Sequence, residues 1–431
     1  MSYSADNILL IYSDEITPRL KYAFRLIFDD MLGIKTSFTQ SAVEFAETDK
    51  PKIAYSRNKI SESHQFWPAH SILFEYDIRS QDVNETDGQY PLGGDPFASA
   101  FYIATRYEEY LPHEKDIFQR FEANQSILHR LGKLKVPIVH FWANEILRQL
   151  QQHYSLQPRF KTYKPLVMID VDQAFSYKHK GVLWSGYIMV KNLWRKNREG
   201  IREQTQVLRG KVTDPYDSFD YLKQMQMASG VDMIFFIHSG SRSRYDRPVP
   251  IRYKGIQSLI RNISRYAQIG LHPSFQSNDQ VWMLNQEKAL LQKITGKPVL
   301  SSRQHYLRLV MPATYRNLVR EGIQHDYSMG YATEEGFRAG MCIPYRWFDI
   351  ERNEITSLTI HPVCFMEGIY GQAKQLQPQE AWQQMERMID TVVENHGQPI
   401  VGWHNHTITD QGLWAGWKIL FEKMITKLIK I

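Results

Sequence analysis

The sequence is poor in cysteine, with Cys342 and Cys364 as its two residues of that type in 431. Two thiols make neither a disulfide framework nor a cysteine-rich zinc site, and they fit a reducing compartment. No run of about 18 apolar residues occurs, so no membrane-spanning helix is expected. The first residues hold no basic stretch and no long apolar core, which argues against a signal peptide. The expected location is therefore cytoplasmic.

A glycine-rich phosphate loop is also missing, and nothing resembles a nucleic-acid-binding module, so we expect no nucleic acid partner. The composition is 43% hydrophobic and 13% aromatic, which allows large cores, and the length predicts two domains. The net charge of +6 is uneven: residues 1–160 hold 17 Lys/Arg and 21 Asp/Glu (−4), and the remainder hold 35 and 25 (+10). The basic half fits either an anionic partner or an ordinary solvated surface.

Residues 1–160 are predicted to form a mixed α/β unit. Their apolar spacing indicates strands at 7–13 and 71–77 and helices at 18–32, 95–112 and 136–154. A polar stretch containing Pro158 and Pro165 follows and is typical of a linker. We therefore predict an N-terminal α/β domain of unknown role at 1–160 and a second domain at 161–431.

After the linker, strand-like and helical segments alternate, which predicts a parallel sheet or an α/β barrel. Polar residues repeatedly fall just after the apolar part of a strand: Asp170, Asp172, His238, His272, Arg303, His305, Asp326, His404 and His406. The carboxyl ends of barrel strands converge at one mouth. Residues that are remote in sequence are therefore expected to meet there.

The stretch VMIDVDQAFSY, residues 167–177, ends a buried strand with two acids. Alternation along a strand places Asp170 and Asp172 on one face and Val171 on the other. Two such close carboxylates cannot both ionise freely unless a cation relieves their repulsion. His272 offers a nitrogen ligand for that cation. A metal beside a free carboxylate, with a histidine as the acid, is equipment for hydrolysing an amide or an ester.

Each residue alone also has an ordinary interpretation. An Asp-x-Asp at a strand end often caps a loop or forms an ion pair, a single histidine such as His272 is usually a satisfied polar residue, and Arg303 alone is typical of a surface ion pair. Their joint placement at successive strand ends favours the functional interpretation.

Four stretches, MIDVDQ, IGLHPSFQS, SSRQHYLR and PIVGWHNH, resemble the motifs of the polysaccharide deacetylase superfamily, carbohydrate esterase family 4. The resemblance implies an α/β fold: a distorted (β/α) barrel of the polysaccharide deacetylase type, here preceded by a smaller mixed α/β domain. It also implies metal-dependent removal of acetyl groups from N-acetylated sugars. The stretches DPFASAFYIATRYEEYLP and DYSMGYATEEGFRAG are further similar to a bacterial subgroup with an uncharacterised N-terminal domain.

The resemblance also implies roles for individual residues. Asp170 corresponds to the catalytic base, Arg303 to the residue that orients it, and His404 to the acid. Asp172 and His272 correspond to ligands of a divalent metal, expected to be zinc, with cobalt or nickel as alternatives.

The chain departs from the family's second motif at one position. The motif has a second histidine four residues after the first, and this chain has Gln276 there. A carboxamide oxygen is a poor substitute for imidazole on zinc. The third ligand is therefore expected from His305, His238 or His406, and we take His305 as the candidate.

These residues predict a metal-dependent hydrolase, a carbohydrate N-deacetylase whose partner is an N-acetylated sugar or glycan. Two alternatives stay open. Gln276 is compatible with a degenerate barrel that binds glycans without cleaving them, and related barrels share the metal chemistry with amidohydrolases that act on small non-sugar substrates.

Residues 181–211 form a basic segment that contains aromatic side chains. Trp184 and Trp194 lie among lysines and arginines. A basic amphipathic helix of this kind can rest on an anionic membrane, which would give peripheral contact at the inner membrane face. The alternative is a helical insertion packed beside the barrel mouth.

Overall fold

The computed structural model describes residues 7–59, 65–84 and 90–431. Its first sheet is parallel, in the order β2-β1-β3-β4. The strands are β1 (Ile8–Tyr12), β2 (Lys35–Thr39), β3 (Lys52–Ser56) and β4 (Phe66–Pro68). The helices of this part are α1 (Pro18–Arg25), α2 (Ala42–Glu47), α3 (Pro96–Ala104), α4 (Ile127–Arg130) and α5 (Ile138–Gln151).

The strand predicted at 71–77 is wrong, because Ser71–Phe74 forms a 3-10 helix. Side chains of α1 and its cap take up the carbonyl groups that a neighbouring strand would need. The Thr17 hydroxyl donates to the carbonyl of Leu73, and Arg19 Nη1 donates to that of Ile72 at 3.2 Å. Three successive side chains of this turn, Ile72, Leu73 and Phe74, are buried, which a half-buried strand would not allow.

The second sheet has nine strands in the order β10-β11-β9-β8-β7-β6-β5-β13-β12. They are β5 (Leu166–Val171), β6 (Asp232–His238), β7 (Gln268–His272), β8 (Ser301–Ser302), β9 (His325–Asp326), β10 (Tyr345–Asp349), β11 (Glu354–Ile360), β12 (Phe365–Met366) and β13 (Ile400–His404). All neighbours pair in parallel except β10 and β11. The predicted parallel α/β architecture is confirmed.

Helices connect and flank these strands. They are α6 (Val182–Trp194), α7 (Arg198–Leu208), α8 (Phe219–Ser229), α9 (Lys254–Ile263), α10 (Val281–Thr295), α11 (Ala313–Arg320), α12 (Pro378–Glu394) and α13 (Trp417–Ile429). Within residues 7–59, 65–84 and 90–431, no helix is both long enough and apolar enough to cross a bilayer.

The predicted barrel does not appear as a closed sheet. Within the described residues β10 and β12 are the two edges, and no pairing joins them. The N-terminal unit packs against β10: the Tyr22 hydroxyl donates to the Arg346 carbonyl at 2.8 Å. The rings of Tyr22 and Phe101 lie 4.9 and 5.5 Å from that of Phe348. The edge that barrel closure would use is thus occupied by another part of the chain.

Alternation along β5 separates two apolar environments. Met168 lies in a small buried cluster on one face of the sheet, together with Ile234, Phe236, Tyr327, Val363 and Ile400. Val167, Ile169 and Val171 point the other way, into the large core that packs against the helices. The two-residue period puts Asp170 on the side of Met168. Apolar packing therefore fixes the face to which the first acid belongs.

A buried ion network connects the N-terminal unit to the second sheet. Glu109 accepts hydrogen bonds from Arg106 Nε at 2.7 Å and from Arg338 Nε and Nη2 at 2.8 and 2.7 Å. Burial alone would raise the pKa of Glu109, but Arg338 and Arg106 lower it to about 2. Both guanidinium groups are buried as well. Glu109 therefore bridges two cations from distant parts of the chain, and Arg106 has a second counter-ion, with its Nη2 2.8 Å from Glu108 Oε1.

We predict that Glu109→Gln lowers the free energy of unfolding by roughly 3–5 kcal/mol, because it leaves the buried Arg338 guanidinium without its counter-ion. The matched control is Glu354→Gln, which breaks the exposed pair of Arg352 and Glu354 and should change stability little. Chemical denaturation of both variants measures the difference. Equal losses in the two variants would contradict a special role for Glu109.

Candidate metal centre and active site

Seven of the nine polar residues predicted at strand ends line one cavity of about 510 Å³, and His238 and Asp326 do not. The strands that carry them are neighbours in the sheet. In the parallel register, His404 of β13 lies beside Asp170 of β5, and His238 of β6 lies beside His272 of β7. The cavity wall includes all six predicted site residues: Asp170, Asp172, His272, Arg303, His305 and His404.

His272 turns its Nε2 toward Asp172 at the cavity wall. Its Nδ1 lies 2.5 Å from the Arg303 carbonyl oxygen, which can only accept, so Nδ1 carries a hydrogen. The Nε2 atom lies 3.1 Å from Asp172 Oδ1, which is buried. In the neutral tautomer with hydrogen on Nδ1, the Nε2 lone pair is the atom that a metal beside Asp172 would use.

His305 also approaches Asp172, from the end of the next strand. Burial favours its neutral ring, but Asp172 and Asp246 raise the pKa of His305 to about 9, so the ring carries a proton that a metal would displace. Its Nδ1 donates to Asp246 Oδ1 at 2.8 Å, and its Nε2 lies 3.6 Å from Asp172 Oδ2. One atom each of Asp172, His272 and His305 lie within 4.8 Å of one another. Gln276 is exposed, in the 3-10 turn that follows β7. The structure therefore places His305 beside His272, and Gln276 outside this group.

The distances between the two imidazoles and the Asp172 carboxylate fit a divalent metal. Ligand atoms that surround a tetrahedral zinc ion are about 3.4 Å apart, given metal–ligand distances near 2.1 Å. His272 Nε2 lies 3.1 Å from Asp172 Oδ1, and His305 Nε2 lies 3.6 Å from the other oxygen, Oδ2. Hydrogen bonding alone explains the site less well, because 3.6 Å exceeds a normal hydrogen bond. Two nitrogens and one oxygen, with the cavity as a fourth position, resemble the ligand set of catalytic zinc.

The other two histidines considered as third ligands are placed differently. His238 accepts from the Gly240 amide at Nδ1 (3.2 Å) and donates from Nε2 to Asp246 (3.0 Å), so both nitrogens are used. His406 lines the cavity beside His404, with its ring centroid 5.3 Å from that of His404 and 5.2 Å from that of Tyr216. Burial and the neighbouring His404 lower the pKa of His406 to about 4, which keeps the ring neutral.

Asp246 orients the candidate ligand His305. Its buried carboxylate also accepts from His238, from the Ser243 hydroxyl at 2.7 Å and from the Phe275 amide at 3.0 Å. Burial opposes ionisation, but His238 and His305 hold the pKa of Asp246 well below its usual range. The carboxylate therefore stays charged, and it fixes the His305 tautomer in the way that outer carboxylates support metal-bound histidines.

Asp170 is held by Arg303 rather than by the ligand group. Arg303 Nε donates to its two oxygens at 3.0 and 2.8 Å, and both side chains are buried. Nη1 of the same guanidinium donates to the Tyr327 carbonyl at 2.6 Å. The arginine is thus anchored at a second point, and it leaves Asp170 at the cavity wall in a fixed orientation.

His404 lies across the cavity and is paired with Glu367. Its Nδ1 is 2.7 Å from Glu367 Oε1, which also accepts from the His404 amide and the Thr407 hydroxyl. Burial favours the neutral ring, but Glu367, then Asp172 and Asp170, raise the pKa of His404 to about 10. The ring is therefore protonated, and its Nε2–H faces the cavity 3.7 Å from Asp172 Oδ2.

Sequence reasoning missed Asp246 and Glu367. Glu367 directly follows β12, so it carries the signal used for the other residues, an acid after an apolar strand. Because β12 has two residues, the strand was not recognised. Asp246 lies in the connection between β6 and α9, where no periodic pattern marks it.

We predict that Asp246→Asn weakens divalent metal binding about 10- to 100-fold, the usual effect of losing an outer carboxylate. Ser243→Ala is the matched control, because it removes a hydrogen bond to the same carboxylate on the side away from His305. Competition with a chromogenic chelator measures both affinities. Unchanged binding in Asp246→Asn, or an equal loss in Ser243→Ala, would contradict the orienting role.

Comparison with known proteins gives one family match. Residues 9–155 match the model of a family of unknown function, DUF7033. No curated protein matches the sequence.

Solved structures show weak similarity. A protein classified as a polysaccharide deacetylase from Mycobacterium smegmatis is 14% identical, with a TM-score of 0.38, over 62% of this chain and 89% of its own. A polysaccharide deacetylase from Bacillus cereus is 12% identical, with a TM-score of 0.28, over 62% and 89%. An allantoinase is 11% identical, with a TM-score of 0.37, over 61% and 84%. Neither the family model nor these structures assign an activity to the chain.

Proposed function

We propose that the protein is a metal-dependent hydrolase that removes the acetyl group from an N-acetylated sugar or glycan. One observation carries the proposal: Asp172, His272 and His305 each place one potential ligand atom within 4.8 Å of the other two, at the wall of the cavity. A buried carboxylate and a protonated imidazole line the same cavity. This combination suits hydrolysis of an amide.

Asp172, His272 and His305 are the residues that would hold the metal, and zinc fits their donor atoms best. A bound divalent metal would polarise the amide carbonyl and make water a stronger acid. Asp246 and the Arg303 carbonyl keep the two imidazoles in the tautomers that this role requires.

Asp170 acts as the general base. It accepts the proton of the attacking water as the new C–O bond forms, and Arg303 keeps the carboxylate turned toward the cavity. Arg303 is thus a positioning residue.

His404 acts as the general acid from the other side of the cavity. When the C–N bond breaks, Nε2–H supplies the proton to the departing amine, which leaves acetate and the free amino sugar. Glu367 at Nδ1 keeps the ring charged and oriented before the step. The proton gained by Asp170 and the proton lost by His404 balance each turnover.

A sugar substrate is favoured by the motif resemblance and by the aromatic wall of the cavity. Phe118, Tyr216 and Tyr306 line it beside the polar residues, and aromatic side chains offer apolar surface to a ring. The non-catalytic alternative rests on Gln276 and on the aromatic residues at the strand ends. In our proposal His305, which lies beside His272, takes the ligand position that Gln276 leaves open.

We predict that the purified protein binds one divalent metal and that His305→Ala loses it. Gln276→Ala is the matched control and should keep the metal, because its side chain points into solvent. Elemental analysis after dialysis against zinc measures both. Retention of metal by His305→Ala, or absence of metal binding in the unaltered protein, would refute the ligand assignment.

We predict that Asp170→Asn abolishes acetate release from N-acetylated oligosaccharides and that His404→Ala lowers kcat by roughly 10²-fold or more. The pH profile of the unaltered enzyme should be bell-shaped, as an acid–base pair requires. Metal content should stay unchanged in His404→Ala. Loss of metal there would make His404 a ligand, and release of ammonia or an amine from non-sugar amides alone would move the substrate outside carbohydrates.

A further inference from the structure

Helix α6 has an apolar face that is largely exposed to solvent among the described residues. Leu183, Tyr187, Val190 and Trp194 follow each other at spacings of four, three and four, which places them on one side of the helix. Leu183 is 93% exposed and Trp194 is 83% exposed. No residue of α6 is buried. A soluble helix normally turns such a face inward, so this exposure requires a reason.

The surroundings of this face are strongly basic. Residues 178–211 contain nine lysines and arginines and two acidic residues, Glu199 and Glu203. A basic apolar segment is the sequence type that rests in the headgroup region of anionic bilayers, where cations meet lipid phosphates and apolar side chains enter the acyl boundary.

A groove of about 1270 Å³ separates α6 from the segment 239–253 and adds to this basic surface. Six cations line it and no acidic residue does: Lys180, Lys191, Arg242, Arg244, Arg247 and Arg252. Among the described residues, none of the six has a carboxylate oxygen within 4.0 Å. Six cations without a carboxylate partner repel one another, and an anion bound in the groove would lower that repulsion.

The groove also has preorganised walls. The Arg242 guanidinium lies 3.5 Å from the ring centroid of Trp184, which stacks it against α6. Lys180 Nζ lies 3.4 Å from Gln173 Oε1, and Gln173 also lines the cavity that holds the candidate metal site. The groove and the catalytic cavity are thus adjacent.

From these observations we infer that α6 and the basic groove dock the protein on an anionic phospholipid bilayer. The exposed apolar face of α6 enters the interface, and the groove receives lipid phosphate groups. This docking goes beyond the proposed hydrolysis and does not require it. Combined with that function, it would bring the catalytic cavity to sugars attached to membrane lipids.

Sedimentation with vesicles tests the inference on the full chain. We expect binding to phosphatidylcholine vesicles that contain phosphatidylglycerol, little binding to phosphatidylcholine alone, and weaker binding as salt screens the charges. Trp194→Ser and Leu183→Ser should each lower vesicle affinity severalfold. Arg242→Gln and Arg247→Gln should each lower vesicle affinity by roughly fivefold.

Matched controls distinguish binding through this surface from non-specific binding to vesicles. Trp282→Ser removes a tryptophan that is 60% exposed on α10, and Lys423→Gln with Lys430→Gln removes two cations at α13. Both should leave vesicle binding unchanged. Metal content and acetate release of every variant report the proposed hydrolysis separately, so either idea can fail alone.

Four results would overturn the docking inference. The first is failure to bind anionic vesicles at low salt. The second is an equal loss of binding in the control variants. The third is binding of inorganic diphosphate in the groove without vesicle binding, which would make it a site for a soluble anion. Self-association that depends on Trp194 and replaces vesicle binding, measured by sedimentation velocity, would assign the face to a second copy.

Discussion

The parallel register of β13, β5, β6 and β7 is the constraint on which the candidate site depends. It sets His404 beside Asp170 and His238 beside His272 at one edge of the sheet. A slip of one residue in any of these strands would turn its side chains to the opposite face. The slip is opposed by apolar packing on both faces, with Met168 in one cluster and Ile169 in the other. The chemistry at the strand ends is therefore positioned by the hydrophobic core beneath it.

Buried partners then decide which atom each reactive group offers to the cavity. Asp246 and the Arg303 carbonyl occupy Nδ1 of the two candidate ligand histidines, and Glu367 occupies Nδ1 of His404. In each case Nε2 is left for the cavity. Burying these carboxylates costs solvation, which only their several hydrogen bonds offset. Asp246, Glu367 and the Arg303 carbonyl are thus as necessary to the site as the histidines that they orient.

The sequence predicted those site residues that follow a recognisable strand pattern. An acid or histidine after an apolar strand identified Asp170, His272 and His404 as members of one cavity, while His305 was one of three candidates for its place. Alternation cannot reveal partners in irregular segments, so Asp246 stayed hidden, and the short β12 concealed Glu367. Local sequence patterns also could not predict that the sheet stays open. Its β10 edge is covered through contacts between residues far apart in sequence, such as Tyr22 and Phe348.

Charge balance gives a last reason for a divalent cation at this site. Arg303 neutralises Asp170, and the protonated His404 neutralises Glu367. Asp172 and Asp246 then remain as two negative charges, and they raise the pKa of His305 to about 9, so that its proton offsets one of them. Uncompensated charge is costly in a buried site. A divalent metal between Asp172, His272 and His305 would offset both charges and leave both candidate ligand histidines neutral, as metal binding requires.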